Sequence, residues 1–382
     1  MSEAIRRSLK DFTKVLDKPG GLQKGGIYQE DYSIFVTDNN CTLTRNSFKN
    51  SYVIKYLNTE QTIKEYIANR ILKLFIVDNI DELELINKDS TKSILVASKI
   101  IPSFVNFKEI MAKRSLSLER LINEYDDTKP ILNHELVKLA GSLIADMDMH
   151  WGNIGIVEFN DRYEVITIDH GLSLSLLQWI NTIPMVISNF LLPYYAETID
   201  YKSIDKAITK ISKVKDDVIR KEINEICNDI YELFTEKEVN RVFLFDENCY
   251  DFLSYIIERK HYLETKIKTS FRIEEAIVTD DINRFNELVK ENDIGINSLI
   301  NVFDSNNFEK QYSEHYPLYF AAKWQKPNIT KFLLLHGVNI TETLEKLSVD
   351  ETNIKEYIFS IQNELNIVGD NNCLYDDNPL VI

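Results

Sequence analysis

The chain has 382 residues, 44% of them hydrophobic and 27% charged, an ordinary globular mix with room for two or three domains. That balance buries a core of normal size and excludes both a disordered tail and a disulfide-stapled mini-protein. Lys and Arg number 44 against 60 Asp and Glu, a formal net charge of −16. This excludes a broad nucleic-acid footprint and disfavours nonspecific attraction to anionic membranes.

At the N-terminus, Ile5, Leu9, Phe12 and Leu16 recur at helical spacing, with Arg6, Arg7, Lys10 and Lys14 on the other side. They predict a first helix packed on its own domain. The segment is charged throughout and is not a Sec signal. Residues 27–36 and 50–57 alternate and are rich in Val, Ile and Tyr, so they predict strands. Asn58 or Thr59 then caps a helix over 60–75, with Ile63, Ile67, Ile71 and Leu74 on its apolar face. Residues 93–101 form a short apolar strand that Pro102 stops.

Helical patterns follow at 107–113, 118–125 and 133–147, and a hairpin at 153–159 and 163–168 turns at Asn160-Asp161. From Gly171 to Ala196 there is no charge at all. The length suits a membrane span, but Pro184, Pro193, Gln178, Asn181 and Asn189 argue instead for a buried or membrane-touching segment. Residues 203–268 hold only helical patterns. Strands first, then helices with one small strand pair, indicate a two-lobed α+β domain.

The C-terminal part has another character. Pro317-Leu318, Ala321-Ala322, Leu333-Leu334 and Gly337 stand at ankyrin offsets within 315–340, and a weaker copy occupies 273–297 with a loop between the two. Two repeats bury too little apolar surface to stand alone. The organisation expected is an N-lobe over 1–102, a C-lobe over 103–268, ankyrin-like repeats over 271–345 and a tail over 346–382. Cys41, Cys227, Cys249 and Cys373 lie far apart with no C-x-x-C and read as reduced thiols of a cytosolic protein.

The residues with chemistry cluster in 145–174. Asp148, His150 and Asn153 form D-x-H-x-x-N; the hairpin then delivers Asp169, His170 and Gly171. A hairpin brings its two ends together, so Asn153 and Asp169 face one point. Mg²⁺ takes oxygen ligands, one or two from protein and the rest from phosphates and water, and this pair can supply them. Asp148 is placed to accept the proton of an attacking hydroxyl. His150 either orients Asp148 or touches a phosphate oxygen. Lys55, ending the strand Y-V-I-K, is the candidate for the α/β-phosphates of ATP. Glu65 on the following helix is its partner, with Glu60 the spare. Each element alone has a plain reading as a turn, cap or solvated side chain; their order carries the assignment.

V-I-K, D-x-H-x-x-N and I-D-H-G, in that order, resemble the phosphatidylinositol 3-/4-kinase branch of the protein-kinase-like superfamily. The I-D-H variant is similar to the secreted phosphatidylinositol 3-kinase effectors of intracellular bacteria, of rickettsial and Legionella type. The resemblance covers roughly residues 20–265. It implies a bilobal protein-kinase-like fold with an appended ankyrin-type region, ATP and Mg²⁺ as cofactors, Lys55 on the nucleotide phosphates, Asp148 as catalytic acid–base, and Asn153 and Asp169 on the metal. It also implies a phosphoinositide membrane surface as partner, a host protein for the ankyrin-like region, and delivery from the producing cell's cytoplasm to host cytosol and membranes. No nucleic-acid partner is expected.

Two departures stand out. His170 replaces the Phe of D-F-G, so that packing must come from elsewhere. The glycines of PGGLQKGG (19–26) do not spell G-x-G-x-x-G; they either cover phosphates or form a plain linker. The adenine hinge is expected near Ser98 to Pro102. Leu176, Leu177, Trp179 and Ile180 of the uncharged segment either rest on lipid or pack under the C-lobe. No Lys or Arg occurs from Gly171 until Lys202, which favours plain phosphatidylinositol over its bisphosphate. A protein Ser/Thr kinase of HipA-like type and a non-catalytic ankyrin interaction protein are the alternatives.

Overall fold

The structure, a computed structural model, describes residues 7–17, 24–29, 51–76, 82–88, 93–114, 131–150, 152–180, 182–190, 201–243, 248–292, 294–298, 300–302, 313–347 and 351–365. Part of the 27–36 strand, the 118–125 helix, Gly20 and Gly21, Cys41, Cys373 and the extreme C-terminus lie outside them. The chain divides into two units, Met1–Glu264 and Thr265–Ile382.

The first unit is mixed α+β and begins with a six-stranded sheet in the order β1-β5-β6-β4-β3-β2. Its strands are β1 (Arg7–Ser8), β2 (Thr13–Asp17), β3 (Gly25–Gln29), β4 (Ser51–Lys55), β5 (Leu83–Asn87) and β6 (Ile94–Lys99). All neighbours are antiparallel except β1 with β5. Helix α1 (Thr59–Phe75) follows β4. The Asn58 side chain caps it by accepting from the Gln61 N–H at 2.8 Å, and Ile63, Ile67 and Ile71 are fully buried, as the period demands.

The N-terminal helix expected from Leu9, Phe12 and Leu16 is not present. Those residues run through β1, a single 3-10 turn at Leu9–Asp11, and β2. Phe12 is buried edge-to-face on Tyr52, ring centroids 5.3 Å apart, within a cluster of Tyr28, Ile54, Ile86, Leu95 and Ala97. Pairing of β2 with β3 satisfies the backbone while Phe12 is buried in that cluster, so the tertiary partner overrides the local period.

A second sheet, in the order β7-β9-β10-β8, holds the expected hairpin: β9 (Ile154–Glu158) antiparallel to β10 (Tyr163–Thr167). Its flanks, β7 (Val105–Asn106) and β8 (Ile131–Leu132), have two residues each and no period to read in sequence. Around it stand α2 (Phe107–Arg114), α3 (His134–Leu143), α4 (Thr182–Phe190), α5 (Tyr201–Ser212), α6 (Asp216–Leu233), α7 (Glu236–Val242) and α8 (Cys249–Tyr262). The uncharged segment is a chain of tight turns over 171–180 leading into α4, which has 9 residues. Among the described residues no helix is long and apolar enough to cross a membrane.

The second unit contains two helical hairpins, α9 (Lys268–Val278) with α10 (Ile282–Glu291), and α11 (Pro317–Lys323) with α12 (Pro327–Leu335). The segment between them includes a two-stranded sheet, β11 (Ile300–Val302) with β12 (Ser313–His315), that sequence periodicity did not reveal. Ala321 and Ala322 are buried, and Gly337 closes α12 with φ +78°, a value that favours glycine. Asp280 accepts from the N–H groups of Ile329 and Asn328 at 2.9 and 3.2 Å, so one hairpin caps the helix of the next. A short α13 (Ile340–Glu345) follows.

The tail reading from residue 346 requires correction: Thr352–Glu364 form α14, and its Ile354, Ile358 and Ile361 join the core of Ile277, Phe285, Phe320 and Leu333. Their i, i+4, i+7 spacing is an ordinary helical stripe. Ile358→Ala should therefore destabilise this unit by about 2–5 kcal/mol. Urea unfolding checks this; a change within error would return the helix to the status of a loose appendage.

Candidate active site

Lys55 ends β4 opposite Gly25 of β3, and its side chain is buried. A Cβ on Gly25 would lie 2.5 Å from the Ile54 carbonyl oxygen, so only glycine lets β3 close over this edge. The Lys55 ammonium donates to Glu65 Oε1 and lies 3.3 Å from Asp169 Oδ1. Glu65 is 1% exposed. Glu60 is not the partner of Lys55: it pairs with Lys64 at 2.6 Å, and Lys64 also donates to Ser175 Oγ at 3.1 Å. Helix α1 is further held to α6 by Arg70, which binds Glu222, Glu225 at 3.3 Å and Asp229 at 3.2 Å, while the Tyr66 hydroxyl donates to Asp229 at 2.6 Å. The carboxylate that orients Lys55 thus sits on a helix anchored from both sides.

After α3 the backbone turns left-handed at Ala145 (φ 48°), again at Asp169 (φ 62°) and at Leu174 (φ 70°). These non-glycine residues lie in two loops, one after α3 and one after β10, and store strain that the surroundings must hold. Asp146, 1% exposed, links the two loops. Its Oδ1 accepts from the Asp148 N–H at 3.1 Å, and its Oδ2 lies 2.7 Å from His170 Nδ1. His170 is itself buried, so the position of the D-F-G Phe is filled by the histidine and tied through Asp146 to the D-x-H loop. Sequence reading missed Asp146. The only signal was a second acid two residues before Asp148.

Asn153 Nδ2 donates to the Asp148 carbonyl at 3.0 Å and to its carboxylate at 3.2 Å, with the Asp169 carbonyl at 3.5 Å. The Ile168 N–H donates to the Asn153 carbonyl at 2.8 Å, closing the two ends of the hairpin on each other. The expected meeting of Asp148, Asn153 and Asp169 is therefore present. His150 is exposed; its Nδ1 accepts from the Gly152 N–H at 3.0 Å, and its Nε2 stands 3.9 Å from Asp148 Oδ1. At 3.9 Å it makes no hydrogen bond to Asp148, and a side chain at Gly152 would meet the imidazole at 2.8 Å. Burial raises the Asp148 carboxyl above its ordinary value; His150 opposes the rise, and the charges of Asp146 and Asp169 add to it.

A cavity of about 230 Å³ adjoins Lys55 and Asp169, far more than one water needs. Its walls include Val53, Ile101, Phe104 and Ile168, and Ser98 and Ile100 from the expected hinge. A Cβ at Gly155 would lie 2.3 Å from Val105 O and 2.8 Å from the Phe104 ring, so this glycine seats that wall. The donor set suits a nucleotide with a divalent ion: an apolar slot, a buried ammonium, and oxygens from Asp169 and Asn153. Among the described residues no cluster of three or more His, Cys, Asp or Glu could hold a metal. A cation at this point would rely on phosphate and water for its remaining ligands, as Mg²⁺ does.

The segment after Asp169 is clamped by a residue that sequence reading did not single out. Arg259 of α8, 1% exposed, donates to the carbonyls of Ser142 (2.5 and 3.2 Å), Leu177 (3.2 Å) and Trp179 (2.9 Å), and to Thr182 Oγ1 (2.9 Å). Burial lowers its pKa to about 9, which leaves it charged at neutral pH. Leu174 and Leu177 are buried beneath this clamp, while Leu172 and Trp179 are 49% and 57% exposed, so the segment both packs inward and presents an apolar outer side.

No family model matches the chain, and no curated relative matches it. Among solved structures it is similar to one from Helicobacter pylori, described as the proinflammatory kinase CtkA, at 17% identity and a TM-score of 0.40, over 69% of this chain and 98% of that one. So loose a likeness bears on neither substrate nor partner.

Two outcomes follow from the geometry. Arg259→Met removes the buried guanidinium that ties Ser142, Leu177, Trp179 and Thr182 together and should cost about 2–4 kcal/mol in urea unfolding, with Arg259→Lys recovering only part; a cost near zero would mean the clamp is not made. Asp148 is an acid whose folded pKa lies above its unfolded one, so its ionised form is disfavoured in the fold and detracts from stability above the unfolded pKa. Asp148→Asn should therefore raise the thermal midpoint at neutral pH or leave it unchanged; a fall would show the carboxylate to be stabilising.

Proposed function

We propose that the chain is an ATP-dependent phosphotransferase that phosphorylates the inositol ring of phosphatidylinositol. The observation that carries the transferase reading is the meeting of Lys55 with Glu65 and Asp169 and of Asn153 with Asp148 and Asp169, with Lys55 and Asp169 lining an apolar cavity. Lys55, oriented by Glu65, binds the nucleotide phosphates. Asp169 and Asn153 hold the metal, which neutralises the phosphates' charge when bound. Asp148, with its raised pKa, accepts the proton of the acceptor hydroxyl. Because Asp148 must be ionised to do so, the rate falls as pH drops through that raised value.

The lipid substrate is supported by exposed apolar side chains in the segments that lead into Asp148 and follow Asp169. They are Met147, Leu172 and Trp179, and the stretch from Gly171 to Ala196 has no charge. Apolar side chains of that kind suit an acyl boundary, and a charge-free segment suits a ring with a single diester phosphate. On this reading the partner is a phosphoinositide membrane surface. The helical hairpins of the second unit, read as ankyrin-like, bind a host protein, and the protein works as a bacterial effector inside a host.

The test is incubation with labelled ATP, Mg²⁺ and mixed vesicles, followed by lipid extraction. Label should enter phosphatidylinositol faster than its bisphosphate. Asp169→Asn, which keeps the left-handed backbone at low cost, should lower transfer by at least about 10²-fold. Label in protein alone would favour a protein kinase, and label in neither a non-catalytic interaction protein.

A further inference from the structure

Outside the active site, one pair of reactive side chains is brought together only by the fold. Cys227 lies on α6, Cys249 is the first residue of α8, and the Cys227 thiol donates to Cys249 Sγ at 2.8 Å. Both are buried, Cys249 completely and Cys227 to 7% exposure. The ends of the two helices are fixed locally. The Asn248 side chain caps α8, and the Cys249 N–H donates to the Tyr231 hydroxyl of α6 at 3.3 Å. A buried thiol ordinarily packs as a small apolar group. Here two share one contact across a helix–helix interface, the arrangement that bond formation requires.

We propose that Cys227 and Cys249 are a covalent modification site, oxidised to an intramolecular disulfide that staples α6 to α8. The oxidant is a low-molecular-weight disulfide of the glutathione type. The Cys227 sulfur, the more accessible, attacks it as the thiolate and releases one small thiol. The Cys249 sulfur then attacks the mixed disulfide and releases the second. Two protein thiols lose two electrons and two protons, and one small disulfide becomes two thiols. In the reduced pair, the contact with Cys227, together with burial, raises the Cys249 thiol pKa.

The staple joins the two helices that contact α1 and the turns after Asp169. Glu222, Glu225 and Asp229 of α6 hold α1, the helix of Glu65; Arg259 of α8 holds the turns at 177–182. Closing the loop between the cysteines removes conformations from the unfolded chain.

The experiment uses the full chain, treated with oxidised glutathione, alkylated and mapped by peptide mass, with thermal unfolding recorded before and after dithiothreitol. A linked Cys227–Cys249 peptide is expected. A reductant-reversible rise in midpoint on the order of 5 °C should accompany it, absent in Cys227→Ser and in Cys249→Ala. Four results would overturn the proposal: both thiols alkylated as free, stable glutathione adducts only, linkage to Cys41 or Cys373, or linkage with no rise in midpoint. None of these depends on phosphoryl transfer, so the phosphotransferase reading stands or falls separately.

Discussion

Lys55 is a buried ammonium between two carboxylates, Glu65 and Asp169, that come from different parts of the chain. Desolvating three charges is expensive, and removing one partner of such a set typically costs about 3–5 kcal/mol because the others stay buried and unmatched. The pairing survives only if β4, α1 and the exit of β10 arrive within hydrogen-bond reach together. The rest of the first unit can be read as what makes them arrive: glycine at position 25 lets β3 close on β4, Arg70 ties α1 to α6, and the register of β9 with β10 carries Asp169 back beside Asn153.

A second layer supports the first through neutral and half-neutral contacts. Asp146 links the backbone of Asp148 to His170, and Arg259 holds four backbone or hydroxyl oxygens without any carboxylate among those partners. A guanidinium satisfied by carbonyls and a hydroxyl fixes geometry without cancelling charge, so the acids around Asp148 keep their mutual repulsion. That repulsion, with burial, is what lifts the Asp148 carboxyl. If Asp148 is the proton acceptor proposed above, activity and stability pull in opposite directions at this residue, because the partial desolvation that lifts its carboxyl also disfavours its ionised form.

The segment after Asp169 shows how one stretch serves two environments. Leu174 and Leu177 go inward under the Arg259 clamp, and Leu172 and Trp179 face out. An uncharged composition served both needs and could not distinguish them in advance. The tight turns that sort inward from outward residues have no period, and they are set by carbonyls turned toward one arginine about 80 residues away in sequence.

Residue identity and short-range order were enough to place α1, the β9–β10 hairpin, the helical region after 201 and the approach of Asn153 to Asp169 across that hairpin, because period, caps and turn chemistry are local. Glu65 over Glu60 was a choice of register on one helix, and it too could be argued from spacing. What needed the folded chain was everything decided by a distant partner. The N-terminal apolar spacing became β2 because β3 offered a strand edge. β7 and β8 exist only as partners of β9 and β10. Residues 352–364 became a core helix rather than a tail, and Asp146, Arg259 and the Cys227–Cys249 pair acquired meaning from contacts that lie many residues away in the chain. Local pattern sets what a segment can be; burial against a particular surface, where backbone and charge must also be satisfied, selects among those options.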